Sequence, residues 1–288
     1  MASLCRKEGS YEWIVNSDGF LALLSAEVDT SSFTRATVIG CGTSALSEEV
    51  LKLLSENRPT ESGGSADSSV EPRVLSVDND ALCIEHQARC CADKPALHWE
   101  VCDLVDAESV AAVLAPDAAD LVVDKGTFDA ILVEGTVWEL LVHVMSHLRP
   151  GGVYALCSLH DRSFLDPLLG PAARGAELLG IDSKLLTLHD AQGKEAGAVA
   201  LCHKRGGHVI DAASLAAYEK VVMDAHFKDN SPFLSTEEEL RLRARFAARI
   251  RSHRHPQQQK QKQKKEQEKQ KQKQKKEEEE EEKEEEEE

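Results

Sequence analysis

The run Ala36-Thr-Val-Ile-Gly-Cys-Gly-Thr-Ser-Ala-Leu-Ser-Glu-Glu-Val50 decides the fold of this chain. Ala36–Ile39 is short and mostly apolar, the pattern of a buried strand. Gly40 and Gly42 follow at once, and glycine takes positive φ at no steric cost and lets a ligand lie against the main chain. Beyond them Leu46, Val50, Leu53 and Leu54 recur at i, i+4, i+7 and i+8, one apolar face of a helix packed on a sheet. A ligand at this turn meets both bare backbone and the partly positive helix N-terminus, so the unit reads as a nucleotide-cofactor site. Gly40, Cys41, Gly42 and Thr43 are its candidate contacts.

Two cofactor classes fit the turn. Gly-Cys-Gly-Thr-Ser-Ala satisfies the dinucleotide pattern in which alanine takes the third glycine position. Both classes require an acid at the end of the second strand to hold ribose hydroxyls. Arg73-Val-Leu-Ser-Val-Asp78 supplies it, with Asn79 alongside. The spacing from the turn is longer than usual because the Ser/Gly/Pro-rich stretch 57–72 intervenes, which reads as a flexible surface insertion. His98-Trp-Glu-Val-Cys-Asp103 reads as a third strand whose terminal acid suits an adenine amino group, with the Leu104 backbone beside it. Ala119 to Leu132 reads as a fourth strand ending in a polar cluster that holds Asp124, Lys125 and Thr127. Each strand presents its functional residue at its carboxyl end, the edge where open α/β sheets bind ligands.

These residues carry a resemblance. Val-Ile-Gly-Cys-Gly-Thr-Ser followed by Leu-Ser-Glu, and Val-Val-Asp-Lys-Gly-Thr-Phe-Asp-Ala over 122–130, resemble the class I, seven-strand methyltransferases that use S-adenosylmethionine. Within them the chain is most similar to a eukaryotic subgroup marked by an Asp-Lys-Gly-Thr motif, several members of which methylate lysines of elongation factor 1 alpha or citrate synthase. Many class I enzymes carry an acid two residues before the first glycine. Here that residue is Val38, as is common in the subgroup. The likeness covers roughly residues 10 to 205. It implies a Rossmann-like, doubly wound seven-stranded sheet with a terminal antiparallel hairpin. It further implies S-adenosyl-L-methionine as cofactor, held by Gly40, Cys41, Gly42 and Thr43 at the methionine end, Asp78 and Asn79 at the ribose, and Asp103 with Leu104 at the adenine. Asp124, Lys125 and Thr127 become the candidate catalytic residues, with Asp124 also a candidate cofactor contact and Phe128 and Asp129 set behind them.

Further segments agree. Trp138–Leu148 reads as a helix stopped by Arg149-Pro-Gly-Gly152 before a strand over Val153–Ser158. Ser183–Leu188 and Gly197–Cys202 flank a polar turn and read as a hairpin, whereas a dinucleotide sheet ends in parallel strands. Near the N-terminus, Tyr11-Glu-Trp13 matches an aromatic element that in the resembling family packs over the cofactor, which makes Trp13 a candidate contact as well as a candidate core aromatic. An apolar helix through Phe20, Leu21, Leu23 and Leu24 follows. The family's upstream Tyr-Trp element is lacking.

Composition bounds the rest. The 288 residues hold one α/β domain plus extensions: an N-terminal helical cap (1–33), a methyltransferase domain (34–205), a helical extension (206–255) and a disordered Lys/Gln/Glu-rich tail (256–288). Eight cysteines without Cys-x-x-Cys spacing, and no leader or long apolar run, point to reduced thiols and a cytoplasmic setting. Cys41 reads as a small buried filler. His143 and His147 stand at i, i+4 without a third ligand and read as polar residues on a helix surface, so no metal is expected. In the tail, lysines precede glutamates, against the helix macrodipole.

Up to residue 256 there remain 24 basic and 38 acidic residues, a formal charge of −14. Such a surface repels nucleic acid and attracts a basic protein partner. Membrane association is not expected, and oligomeric state is left open. The function that fits is methyl transfer to a protein lysine. The alternatives are methylation of a small molecule, or a degenerate scaffold acting through its extension and tail.

Overall fold

A computed structural model describes residues 17–58, 70–134, 136–190 and 192–211, together with the helical positions 214, 217, 218, 220–222, 224 and 225. All belong to the first of two compact units, residues 1–232. Trp13, most of the 57–72 insertion, most of the helical extension and the whole tail lie outside the described residues.

Seven strands form one sheet: β1 (Arg35–Ile39), β2 (Arg73–Asp78), β3 (Leu97–Val101), β4 (Ala119–Lys125), β5 (Leu148–Ser158), β6 (Ile181–His189) and β7 (Glu195–Lys204). Their order is β3-β2-β1-β4-β5-β7-β6. β1 pairs in parallel with both β2 and β4, and β2 with β3 and β4 with β5 are parallel too. β7 runs antiparallel between β5 and β6, so the terminal hairpin takes the expected place and is longer than expected at both ends. β4 is buried along its whole length, as a central parallel strand covered on both faces must be.

On one face α1 (Ser17–Glu27), α2 (Leu46–Glu56) and α3 (Ala81–Cys90) pack against the sheet. Phe20 and Leu24 of α1 and Val50 and Leu54 of α2 are fully buried there with Val38, Val74, Leu121 and Val123, while Leu53 packs at the margin. Between β3 and β4 lies α4 (Ala107–Val113), capped by Asp106, whose carboxylate accepts from the Glu108 and Ser109 N–H groups. Between β4 and β5 come α5 (Thr127–Glu134) and α6 (Val137–His147), and α7 (Arg162–Leu169) and α8 (Arg174–Leu179) precede the hairpin.

Three expectations change. The fourth strand stops at Lys125 and α5 starts at Thr127, because Gly126 takes φ 91° and the Asp124 carboxylate accepts from the Thr127 and Phe128 N–H groups, capping a new helix. The Arg149-Pro-Gly-Gly152 stretch does not separate helix from strand. β5 opens at Leu148, opposite Ala119, and the stretch bulges out before pairing resumes at Leu121 and Val153. His147 is no surface residue: it is 5% exposed, with Nε2 at 2.9 Å from Thr37 Oγ1 and Nδ1 at 2.7 Å from the Ala115 carbonyl, and burial holds its pKa below the usual imidazole value.

Candidate functional site

β1 is the strand from which the chain steps to β2 on one side and β4 on the other, so a crevice opens at its carboxyl end, where the sheet order reverses. The crevice is a cavity of about 420 Å³ lined by Gly40, Cys41, Gly42, Thr43, Asp78, Asn79, Asp103, Leu104, Lys125 and Thr127, with Ser44, Leu46, Cys83, Cys102, Val105, Gly126, Ala130 and Ile131. That size lies within the range of small-molecule sites, about 300–1,000 Å³.

The glycine turn is held from several sides. Gly40 and Gly42 take φ 57° and 48°. The Cys41 N–H donates to the Val77 carbonyl at 3.1 Å and the Gly42 N–H to Asp78 Oδ2 at 2.9 Å, which ties the turn to the end of β2. From α3, the Gln87 amide donates to the carbonyls of Gly42 and Ser44 at 3.1 and 2.8 Å. From α5, Thr127 Oγ1 donates to the Ile39 carbonyl at 2.9 Å. A Cβ on Gly40 would stand 2.0 Å from that Thr127 oxygen, whereas one on Gly42 would meet no atom of the described residues within 4 Å. Among the described residues none fills the space beside Gly42, and the cavity walls there are backbone and small side chains, a cradle that suits a cofactor. At its other end the Asp103 carboxylate accepts from the Val105 N–H at 3.1 Å, and His143 Nδ1 lies 2.8 Å from the Leu104 carbonyl.

Asp124 is the one described candidate contact that the cavity does not include. Side chains alternate along a strand, so Asp124 and Lys125 point to opposite faces of β4. Lys125 reaches the cavity wall, 8% exposed. The Asp124 carboxylate is fully buried, accepting from Tyr154 Oη at 2.8 Å and from the backbone N–H groups of Thr127 and Phe128. Burial, opposed by the Tyr154 bond, pushes its pKa up to about 7. Asp124 does not line the cavity; its carboxylate shapes the loop from behind. Asp129 also sits behind the cavity, bonded at 2.7 Å to Ser158 Oγ and at 3.1 Å to the Leu159 N–H.

Burial disfavours the thiolate form of the cavity cysteines. Burial first, and then the Asp78 carboxylate, raise the Cys41 pKa, and burial with a hydrogen bond to Asp80 pushes Cys83 up to about 11. Cys102 is raised by burial as well. Protonated thiols act here as small apolar lining.

The last two strands separate the cofactor classes. A dinucleotide sheet ends in parallel strands, and here β7 enters antiparallel between β5 and β6. The chain has the class I methyltransferase fold. No family model matches it. It is similar to the EEF1A lysine methyltransferase 4 of Mus musculus, 34% identical over 157 residues, which cover 50% of this chain and 52% of that protein. The Bos taurus protein of the same name is 33% identical over 155 residues, covering 49% and 51%. The chain thus spans about half the length of the curated relatives it matches. Among solved structures it is similar to the phosphoethanolamine N-methyltransferase 1 of Haemonchus contortus in complex with phosphoethanolamine and S-adenosylhomocysteine, with a TM-score of 0.48 and 13% identity over 75% of this chain and 49% of that one.

Within the class I methyltransferase fold, the residues that sequence reasoning missed are Gln87, His143, Tyr154 and the apolar wall of Cys83, Cys102, Val105, Ala130 and Ile131. For Gln87 a signal existed: it lies in register with Ile84 on the buried face of an amphipathic helix, where an amide needs a partner. Tyr154, in the apolar core of β5, gave none.

Proposed function

We propose that the chain is an S-adenosylmethionine-dependent methyltransferase acting on a lysine amine of a protein, in a cytoplasmic setting consistent with the free thiols of its described cysteines. The supporting observation is the cavity at the carboxyl ends of β1 to β4, where the glycine turn, Asp78, Asp103 and the Asp-Lys-Gly-Thr loop meet. Gly40, Cys41, Gly42 and Thr43 would hold the methionine end, Asp78 and Asn79 the ribose hydroxyls, and Asp103 with the Leu104 backbone the adenine. Asp78 keeps accepting capacity for hydroxyls on a carboxylate that also receives the Gly42 and Asp80 N–H groups. S-adenosylmethionine, when bound, supplies a methyl group on a positively charged sulfur.

The chain's own part is then positioning. Reaction with an amine needs in-line approach at about 3 to 3.5 Å, and holding that geometry supplies much of the rate. The amine must arrive neutral, although a lysine in water has a pKa of about 10.4. Burial and a nearby cation favour the neutral form, whereas a carboxylate in the cavity would oppose it. The cavity's carboxylates, Asp78 and Asp103, are the ones assigned to the ribose and adenine, while Asp124, at the end of β4, is turned away into the protein.

The relatives' name makes elongation factor 1 alpha the first substrate to try. The test is methyl transfer from labelled S-adenosylmethionine to purified elongation factor 1 alpha and to a total protein extract, with the labelled residue located by mass spectrometry. Label on lysine supports the proposal. Label confined to small molecules replaces the substrate class, and binding of the cofactor without transfer to any acceptor favours a scaffold.

A further inference from the structure

Three strands are joined behind the cavity by one chain of hydrogen bonds. Tyr154 Oη on β5 donates to Asp124 Oδ2 on β4 at 2.8 Å. The other oxygen, Oδ1, accepts from the Thr127 N–H at 2.9 Å, and the Thr127 hydroxyl donates to the carbonyl of Ile39, the last residue of β1, at 2.9 Å. The Gly126 N–H between them donates to the Cys157 carbonyl at 3.1 Å. Tyr154 and Asp124 are fully buried, so water does not compete for these bonds. Gly40 then starts the turn with only room enough for the Thr127 oxygen where a side chain would stand.

We propose that Tyr154, Asp124 and Thr127 form a single positioning relay that sets where the Gly40–Gly42 turn stands, with Tyr154 a positioning residue outside every motif. In this relay the Thr127 hydroxyl hydrogen is committed to the Ile39 carbonyl, and Asp124 serves through the Thr127 backbone. The glycine turn and the Asp-Lys-Gly-Thr loop are thereby one mechanical unit. The inference rests on the proposed cofactor site only for its consequence; the relay itself is a property of the ligand-free protein.

The test uses the full chain carrying Thr127→Val, which keeps shape and loses the hydroxyl, Thr127→Ser, which keeps the hydroxyl, and Tyr154→Phe. Backbone amide hydrogen exchange is followed at residues 40–42 and, as a reference, in the β6–β7 ladder, to which Tyr154 does not belong, without ligand. Loss of one buried hydrogen bond predicts about tenfold faster exchange of the turn amides in Thr127→Val. Thr127→Ser should match the parent protein, Tyr154→Phe should move in the same direction as Thr127→Val, and the reference ladder should not change. Turn amides that exchange as in the parent protein in Thr127→Val overturn the relay, and unchanged exchange in Tyr154→Phe alone removes Tyr154 from it. A parallel titration with S-adenosylmethionine should show Kd raised about tenfold in Thr127→Val and restored in Thr127→Ser. If the parent protein does not bind S-adenosylmethionine, the proposed function fails while the exchange result still decides the relay.

Discussion

A Cβ on Gly40 would stand 2.0 Å from Thr127 Oγ1, whereas one on Gly42 would meet nothing among the described residues within 4 Å, although both residues take positive φ. In the sequence the two glycines are indistinguishable members of one motif. The structure predicts that Gly40→Ala lowers unfolding free energy by about 2–4 kcal/mol, through overpacking against Thr127 and backbone strain. Gly42→Ala should lose only about 1 kcal/mol, the strain of a left-handed alanine, while weakening cofactor binding more strongly than it weakens the fold. Urea unfolding of both variants, beside calorimetric titration of Gly42→Ala, separates the two effects. Equal stability losses would contradict the assignment.

Asp124 makes a second prediction at this scale. Its pKa rises on folding from an ordinary 3.8 to about 7, so the folded protein holds that proton more tightly than the unfolded chain does. The stability linked to it is fully present below the unfolded value and is lost as pH rises through the folded one. Asp124→Asn does not titrate. The stability of the parent protein relative to this variant should therefore fall between about pH 4 and pH 7, by about 1.4 kcal/mol per pH unit at the steepest. Denaturant unfolding across that range checks it, and parallel curves would refute it.

Among the elements, those with a clean period were legible. β1, β2 and α2 lie where the apolar pattern puts them, and the hairpin of β6 and β7 follows from two alternating runs around a polar turn. α5 was not legible as a helix, because its eight residues are short for a helical period and the polar cluster before them reads equally well as the end of a strand. The bulge at Arg149–Gly152 hid for a related reason: proline and glycine announce a turn but do not say that strand pairing begins before it. In the candidate site, residues on the motif strands and turns could be read directly. Gln87, His143 and Tyr154 reach the site from helices and a strand that only tertiary packing brings near, and the period-2 alternation that turns Asp124 away from the cavity lies inside a motif usually read as a unit.

The amino edge of the sheet supplies a contrasting carboxylate. Asp120 Oδ2 accepts from the Thr34 and Arg35 N–H groups at 2.8 Å each, and Oδ1 accepts from the Arg149 guanidinium, which joins β1, β4 and β5. Burial works to raise its pKa, but the Arg149 bond and the two N–H donors outweigh it and leave it below the ordinary value. The stability it contributes is present above the unfolded pKa near 3.8 and lost as pH falls through the lower folded value. Asp120→Asn should destabilise the protein by about 2 kcal/mol at pH 7, with the gap closing below about pH 4. Thermal unfolding of both proteins at pH 7 and pH 3 measures it.

On the scale of the molecule, charge and topology suit one another. The residues up to 256 carry a formal charge of −14, and the cavity opens at a sheet edge where Asp78, Asp80, Asp103 and Asp106 end or follow the strands. Among the described residues no helix is long and apolar enough to cross a membrane. A basic protein substrate would be drawn by this field, so kcat/KM for such a substrate should fall severalfold as ionic strength rises from about 0.05 to about 0.3 M, while cofactor affinity changes little. Initial rates at fixed cofactor across that salt series test it.

The most direct measurement is a calorimetric titration of the full chain with S-adenosylmethionine, repeated on Asp78→Ala. The prediction is saturable one-to-one binding in the micromolar range that weakens at least about tenfold when the Asp78 carboxylate is removed. No saturable heat with the parent protein, or equal affinity in Asp78→Ala, would contradict the assignment of this cavity to that cofactor.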